Sequence, residues 1–351
     1  MKNILVTGGS GFIGSHTCYA LLSEGYEITV LDSLANSSKR SLDQIIKIFK
    51  SQDLDFSNKL RFFEGDIRNK DFINSIFKKA VEEKKPIDGV IHFAGLKAVA
   101  ESVLKPLSYW DNNVFGSYNL ISCMKENNCK TIVFSSSATV YGISSESLLL
   151  ENTPLNPINP YGSTKLAVEN LLNDVNQDVN ENWKIAILRY FNPIGAHNSG
   201  LLGENPLQKP NNIFPIIINA AYKKEKLKVF GNDWPTNDGT CIRDYIHVMD
   251  LAEGHIKALN HLFTQKKQLI HLNIGTGLGH SVLDLIKTFE TVNEVKVPFQ
   301  ICSRRDGDVC KLVANNSKAK EILNWNPIRS LHEMCKDGWQ WKLMNPKGYI
   351  L

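Results

Sequence analysis

Ile4-Leu5-Val6-Thr7-Gly8-Gly9-Ser10-Gly11-Phe12-Ile13-Gly14-Ser15-His16 decides the fold. An apolar, β-branched run stops at a glycine-rich turn, and a helical pattern from Phe12 to Ser23 follows it. Gly9, Gly11 and Gly14 fit the spacing Gly-x-Gly-x-x-Gly in the strand–turn–helix context that gives the spacing meaning. Glycines let the backbone turn tightly, approach a pyrophosphate and pack helix on sheet. The helix N-terminus then presents unpaired N–H groups and a positive dipole end to an anion. Asp32 ends the next strand-like run, Ile28-Thr29-Val30-Leu31. A carboxylate there accepts bonds from a ribose 2′-hydroxyl and repels a 2′-phosphate, so the turn predicts NAD rather than NADP. Lys39-Arg40 is the counter-signal, since cations could meet that phosphate. The plainer alternative is a glycine turn that serves packing alone.

Further β-branched runs alternate with helical patterns. Strands are expected at Leu60–Phe63, Gly89–Phe93, Thr131–Phe134 and Lys184–Leu188, with a helix over roughly 41–50. Strands separated by helices give right-handed crossovers and a parallel sheet. The expected architecture is therefore α/β, a Rossmann-type doubly wound parallel sheet. After Arg189 the rhythm changes: residues 192–212 are rich in Asn, Gly and Pro and read as a long functional loop. The division expected is a dinucleotide-binding domain over residues 1–190, and a smaller substrate-binding lobe over 191–351 interleaved with it.

The 351 residues are 42% apolar and 22% charged, as in an ordinary globular protein. The net charge of +4 is spread along the chain without a basic cluster, which argues against a nucleic-acid partner. The seven cysteines form no Cys-x-x-Cys pair, which argues against a metal module and suits a reducing cytoplasm. No secretory leader is expected at Met1-Lys2-Asn3, and the apolar run near Ile213 is too short for a membrane span.

The chemistry is carried by two further segments. Ser135-Ser136-Ser137-Ala138-Thr139 follows strand five and reads as a loop at the end of the sheet where open α/β folds bind ligands. Asn159-Pro160-Tyr161-Gly162-Ser163-Thr164-Lys165 places a tyrosine and a lysine at i and i+4 on one helix face. An isolated tyrosine is a poor base, with a pKa of about 10. A lysine ammonium roughly 6 Å away at an effective dielectric near 20 favours the phenolate by about 3 kcal/mol, or about two pKa units. Tyr161 is therefore the expected base, Lys165 its electrostatic partner and a cofactor-ribose ligand, and Ser137 the group that positions the reacting oxygen. Alone, a Tyr-x-x-x-Lys pair is common on helices. Asp66 fits an adenine edge or an ordinary turn.

These segments, with Gly65 to Asn69, His92 to Val99, Tyr109 to Val114, Leu188 to Pro193, Phe230 to Asp233, Gly239 to Val248 and Arg304 to Asp308, resemble the extended short-chain dehydrogenase/reductase family over nearly the whole chain. The likeness is greatest to its nucleotide-sugar 4-epimerases. It implies reversible inversion at C4 of UDP-glucose and UDP-galactose through a 4-keto intermediate, with NAD tightly held. The cofactor contacts it implies are Gly8, Gly11, Phe12, Ile13, Gly14, Asp32, Asn36, Ser37, Asp66, Ile67, Phe93, Ala94, Gly95, Lys97, Asn112, Tyr161 and Lys165. The implied UDP-sugar contacts are Ser137, Asn192, Asn212, Ile213, Phe230, Arg243, Arg305 and Asp308, with no metal. Two arginines can clamp a diphosphate through charge-assisted fork bonds. At Leu312, relatives restricted to glucose and galactose can carry a tyrosine, so a wider pocket that admits UDP-GlcNAc and UDP-GalNAc is an alternative. A 4,6-dehydratase places Asp-Glu after its catalytic threonine, where this chain reads Ser137-Ala138-Thr139. A non-catalytic NAD sensor would have no need of the Tyr161–Lys165 pair. The family also pairs two helices per subunit into a homodimer, here the one after Pro106 and the one starting at Tyr161.

Overall fold

The computed structural model describes residues 1–207, 210–305 and 307–349. Among the described residues thirteen strands form, in chain order β1 (Asn3–Thr7), β2 (Glu27–Asp32), β3 (Leu60–Glu64), β4 (Ile87–His92), β5 (Thr131–Ser137), β6 (Lys184–Tyr190), β7 (Asn192–Ile194), β8 (Leu227–Phe230), β9 (Ile242–His247), β10 (Gln268–Ile274), β11 (Gly279–Ser281), β12 (Phe299–Cys302) and β13 (Lys311–Leu312). Seven of them make one parallel sheet in the order β10-β6-β5-β4-β1-β2-β3. Strand order reverses between β1 and β4, which opens a ligand crevice at their carboxyl ends.

Both faces of this sheet are covered, so its strands read as continuous apolar runs. Ile4, Val6, Ile28, Val30, Ile91, Val133, Ala186 and Leu188 pack on one side, against the helices Phe12–Ser23 and Val248–Phe263. Leu5, Leu31, Val90, Ile132, Phe134, Ile185 and Ile187 pack on the other, against Lys70–Glu82, Gly116–Glu126 and Pro160–Gln177. A third core, with Phe214, Ile217, Tyr245, Leu285, Phe289 and Met334, sits in the carboxyl-terminal half. There β9 pairs with β11, β13 and β7, while β8 and β12 form a separate parallel pair.

Two expectations change. The serine stretch is not a loop: β5 runs on to Ser137, in register with Tyr190 at the end of β6. Three serines extend a buried strand because Ser135 and Ser136 find partners on neighbouring elements. The main sheet also takes its edge strand, β10, from the second half of the chain. Among the described residues no helix is long and apolar enough to cross a membrane.

Candidate active site

The catalytic helix starts where its sequence dictates. Asn159 caps it by accepting from the Gly162 N–H at 2.9 Å, and Pro160 occupies the first turn, where its missing N–H costs nothing. Gly162 lets the helix lie close to the residues after β5: a Cβ there would stand 2.9 Å from the Thr139 carbonyl oxygen. That approach puts Tyr161, 6% exposed, beside the end of β5. Ser137 Oγ accepts from the Thr139 N–H at 3.2 Å and lies 3.0 Å from its hydroxyl. Lys165 is buried, donates to the Ser135 carbonyl at 2.8 Å and sits 6.0 Å from the Tyr161 ring centre.

The electrostatics differ from the two-unit fall expected of Tyr161. Burial pushes its phenol up to about 12, and a hydrogen bond with Ser137 only partly opposes this. Burial likewise pulls the Lys165 ammonium down to about 8, against the raising effect of Glu169. Removal from water disfavours both charged forms.

The crevice beside them is shaped for a dinucleotide. Gly8 has φ +71°, and a Cβ there would stand 2.7 Å from the Ala94 nitrogen. A Cβ on Gly14 would meet the Gly8 carbonyl oxygen at 2.2 Å. Only glycine permits both the turn and the helix packed on it. Gly11 precedes Phe12 and Ile13, the first helical residues, and its N–H donates to the Gly8 carbonyl at 3.1 Å. Asp32 accepts from the Ser10 N–H at 2.9 Å, the Leu34 N–H at 2.9 Å and the Ser37 hydroxyl at 2.8 Å. A carboxylate has about four acceptor positions, so one is left for a ribose hydroxyl. Ser10 Oγ is buried without a partner among the described residues. Asn36 Oδ1 accepts from the Leu207 N–H at 3.0 Å. These features fit NAD.

Phe93 and Ala94 are held across the reversal point by N–H bonds to the Thr7 carbonyl at 3.0 and 3.1 Å. Gly95 faces Lys165: a Cβ there would lie 3.8 Å from Nζ. Lys97 pairs with Glu204 at 3.3 Å. Two expected contacts are qualified. Asp66 is already bound by Arg68, which keeps its carboxyl below the usual range. The Ile67 side chain lies in the core against Gly116, which leaves its backbone to meet a ligand.

Asn112, an expected cofactor contact, lies half-buried in a π-helical turn (Trp110–Phe115), and the more deeply buried residue is its neighbour. Asn113 is buried. Its Oδ1 accepts from the Leu96 N–H at 2.7 Å, and its amide donates to the Leu96 carbonyl at 3.0 Å and to Thr164 Oγ1 at 3.1 Å. It fastens the segment after β4 to the catalytic helix. Adjacent identical residues carry no sequence signal to tell which is buried.

In the carboxyl-terminal half, four expected residues converge. The Arg305 guanidinium lies 5.4 Å from the Phe230 ring centre and donates to Asp308 Oδ1 at 2.8 Å. Arg243 donates to the carbonyls of Ile242 and Val309 at 2.9 and 2.8 Å, and its Nη2 is 3.9 Å from Asp308. Leu312 pairs in register with Arg243 and packs in an apolar cluster with Ala138, Val140, Tyr141 and Phe191. That cluster joins the β13 wall to the segment after Ser137. Asn192 enters from β7, and Asn212 and Ile213 open the helix Ile213–Lys223, with Ile213 packed on the third core.

A family profile described as GDP-mannose 4,6 dehydratase matches residues 5–338. The UDP-glucose 4-epimerase of Bacillus subtilis is 48% identical over 347 residues, covering 99% of this chain and 98% of that protein. A crystal structure of the Stenotrophomonas maltophila UDP-glucose 4-epimerase with bound NAD and formylated UDP-arabinopyranose has a TM-score of 0.91 at 42% identity, covering 98% of each chain. The Bifidobacterium longum UDP-glucose 4-epimerase, in complex with NAD+ and UDP, has a TM-score of 0.90 at 41% identity, covering 99% of this chain and 100% of that one. With the glycine turn, the Ser137–Tyr161–Lys165 arrangement and this full-length likeness together, the chain belongs to the UDP-glucose 4-epimerase branch of the extended short-chain dehydrogenase/reductase family.

Proposed function

We propose that this protein interconverts UDP-glucose and UDP-galactose by inverting C4 of the sugar. The observation that carries this reading is Tyr161, buried against Ser137 with Lys165 one turn along its helix. Ser137 orients the 4-hydroxyl, and Tyr161 holds and returns its proton at the phenol oxygen. Lys165 stabilises the phenolate and would bond the cofactor ribose. The glycine turn and Asp32 would hold NAD, which would supply the hydride acceptor and donor for C4 and, when oxidised, a positive charge. Arg243 and Arg305 clamp the diphosphate, Phe230 walls the uracil, and Asn192, Asn212 and Ile213 complete the sugar-nucleotide site. In this division residues 1–190 bind NAD, and 191–351 mainly bind the UDP-sugar. The segment Ser137-Ala138-Thr139, with Ala138 buried, lacks the Asp-Glu pair that the dehydratase alternative needs, which favours epimerisation. Incubation with UDP-galactose and no added cofactor should yield UDP-glucose. No conversion, even with NAD supplied, would defeat the proposal.

Leu312 favours a second substrate class. Its side chain is shorter than tyrosine and adds to the apolar wall next to Ser137. UDP-GlcNAc should therefore be turned over, and Leu312→Tyr should lower that activity about 10-fold or more while sparing UDP-galactose. Wild-type enzyme inert toward UDP-GlcNAc sinks the wide-pocket idea.

The active form is a homodimer in this reading. Leu107, Phe115 and Tyr118 are exposed on the turns and helix between residues 106 and 126, beside the catalytic helix. A monomer in sedimentation at assay concentration would refute this. Its seven cysteines are all free, which suits the cytoplasm.

A further inference from the structure

Glu169 is a carboxylate that the reaction above leaves unused, and it is 1% exposed. It follows Lys165 by one helical turn and Tyr161 by two, so all three lie on one face of the helix Pro160–Gln177. Arg189 on β6 grips it as a fork, with Nε 3.0 Å from Oε1 and Nη2 2.7 Å from Oε2. Ser136, next to Ser137, also donates to Oε1. The other edge of the guanidinium donates to the Tyr141 hydroxyl at 3.1 Å and to the Glu151 carbonyl at 2.9 Å. Tyr141 in turn donates to Asn273 Oδ1 on β10 at 2.6 Å, and the Asn273 amide donates to the Leu149 carbonyl at 2.8 Å.

Packing alone does not require this pair, since apolar side chains of similar volume serve a core as well. What it adds is direction. A planar fork with a third bond from Ser136 admits one rotation of the helix about its axis relative to β5. We propose that Glu169 is a positioning residue for the epimerisation: seated by Arg189 and Ser136, it sets the helix so that Tyr161, Lys165 and Ser137 converge on one reacting oxygen. This rests on the epimerase reading above.

Its charge has a second consequence. Lys165 is faced by the Ser135 carbonyl from β5, by His92 from β4, and by Tyr161 and Glu169 from its own helix. His255, from the helix Val248–Phe263, bonds the Ser135 hydroxyl, and Arg189 from β6 faces Glu169. Burial holds His92 and His255 well below neutrality, so neither carries charge at working pH. Glu169 is the anion that raises the Lys165 pKa against burial. Lys165 loses its proton as pH rises through its pKa, and without Glu169 that pKa falls. The alkaline decline of kcat must then move to lower pH.

The test measures kcat, KM for UDP-galactose, bound NAD and the pH profile for wild-type, E169Q, E169D and R189K holoenzymes. E169Q should lose about 10- to 100-fold in kcat with KM and bound NAD within about twofold, and its alkaline limb should shift to the acid side. E169D, which keeps the charge, should recover part of kcat and return the limb. If E169Q does not fold, R189K decides: lower kcat at unchanged KM and NAD supports the proposal, and wild-type kcat overturns it. E169Q with wild-type kcat and profile also overturns it, as does a loss that only tracks the folded or NAD-loaded fraction. If neither variant folds, the pair is structural and the proposal falls. Failure of the wild type to convert UDP-galactose would count against the epimerase reading, before any variant is compared.

Discussion

Tyr161→Phe is expected to lower turnover of UDP-galactose by about 10²–10⁴-fold while the protein stays folded and loaded with NAD. The change removes one oxygen and keeps the ring, which is 6% exposed and fills its place at the start of the catalytic helix. Packing is therefore conserved. The glycine turn and Asp32 are untouched, and Lys165 keeps its bond to the Ser135 carbonyl. Only the proton-bearing atom and its link with Ser137 disappear. The effect is thus confined to kcat, with bound NAD, read by absorbance after denaturation, unchanged. An active Phe variant would remove Tyr161 from the base role. Burial sets the phenol at about 12 in the protein alone, so the base depends on positive charge brought close to it, and Lys165 is the residue that supplies such charge.

The second large effect is expected at Gly14. Its Cα faces the glycine turn so closely that an added methyl would stand 2.2 Å from the Gly8 carbonyl oxygen and 2.8 Å from the Gly9 Cα. Both neighbours are backbone and cannot swing aside. Gly14→Ala must push the helix Phe12–Ser23 off the turn, at a strain of about 1–3 kcal/mol, so NAD affinity should fall about 10- to 100-fold. Purified variant should carry little NAD and regain activity only when NAD is added in excess. A variant isolated fully loaded would show that the turn tolerates the methyl group and that its glycine is not required for the cofactor. Gly25 is the contrast: nothing lies within 4 Å of a Cβ placed there, although its φ of +86° still favours glycine.

Much of the fold was legible because its signals are local. The helix Phe12–Ser23 has the bounds its pattern predicts, and β1 to β6 all appear where β-branched or aromatic runs stand. The candidate catalytic residues were legible for the same reason: Tyr161 and Lys165 sit one helical turn apart, and Asn159-Pro160 marks where that turn starts. Less legible were features settled by distant partners. Ser135 and Ser136 read as loop residues, yet His255 and Glu169 satisfy their hydroxyls and let β5 continue through them. β10 looked like part of a second lobe, but its seven residues pair along β6 and complete the first sheet.

The sequence by itself determined the dinucleotide turn, the alternating α/β order and the order in which Ser137, Tyr161 and Lys165 occur, because spacing along a strand or helix specifies which residues share a face. Only the tertiary structure decided that Asn113 rather than Asn112 is the buried tie, that Glu169 on the catalytic helix meets Arg189 on β6, and that burial drives the Tyr161 phenol up. These depend on how much water each group loses and on which distant group replaces it, and neither quantity is written in local spacing.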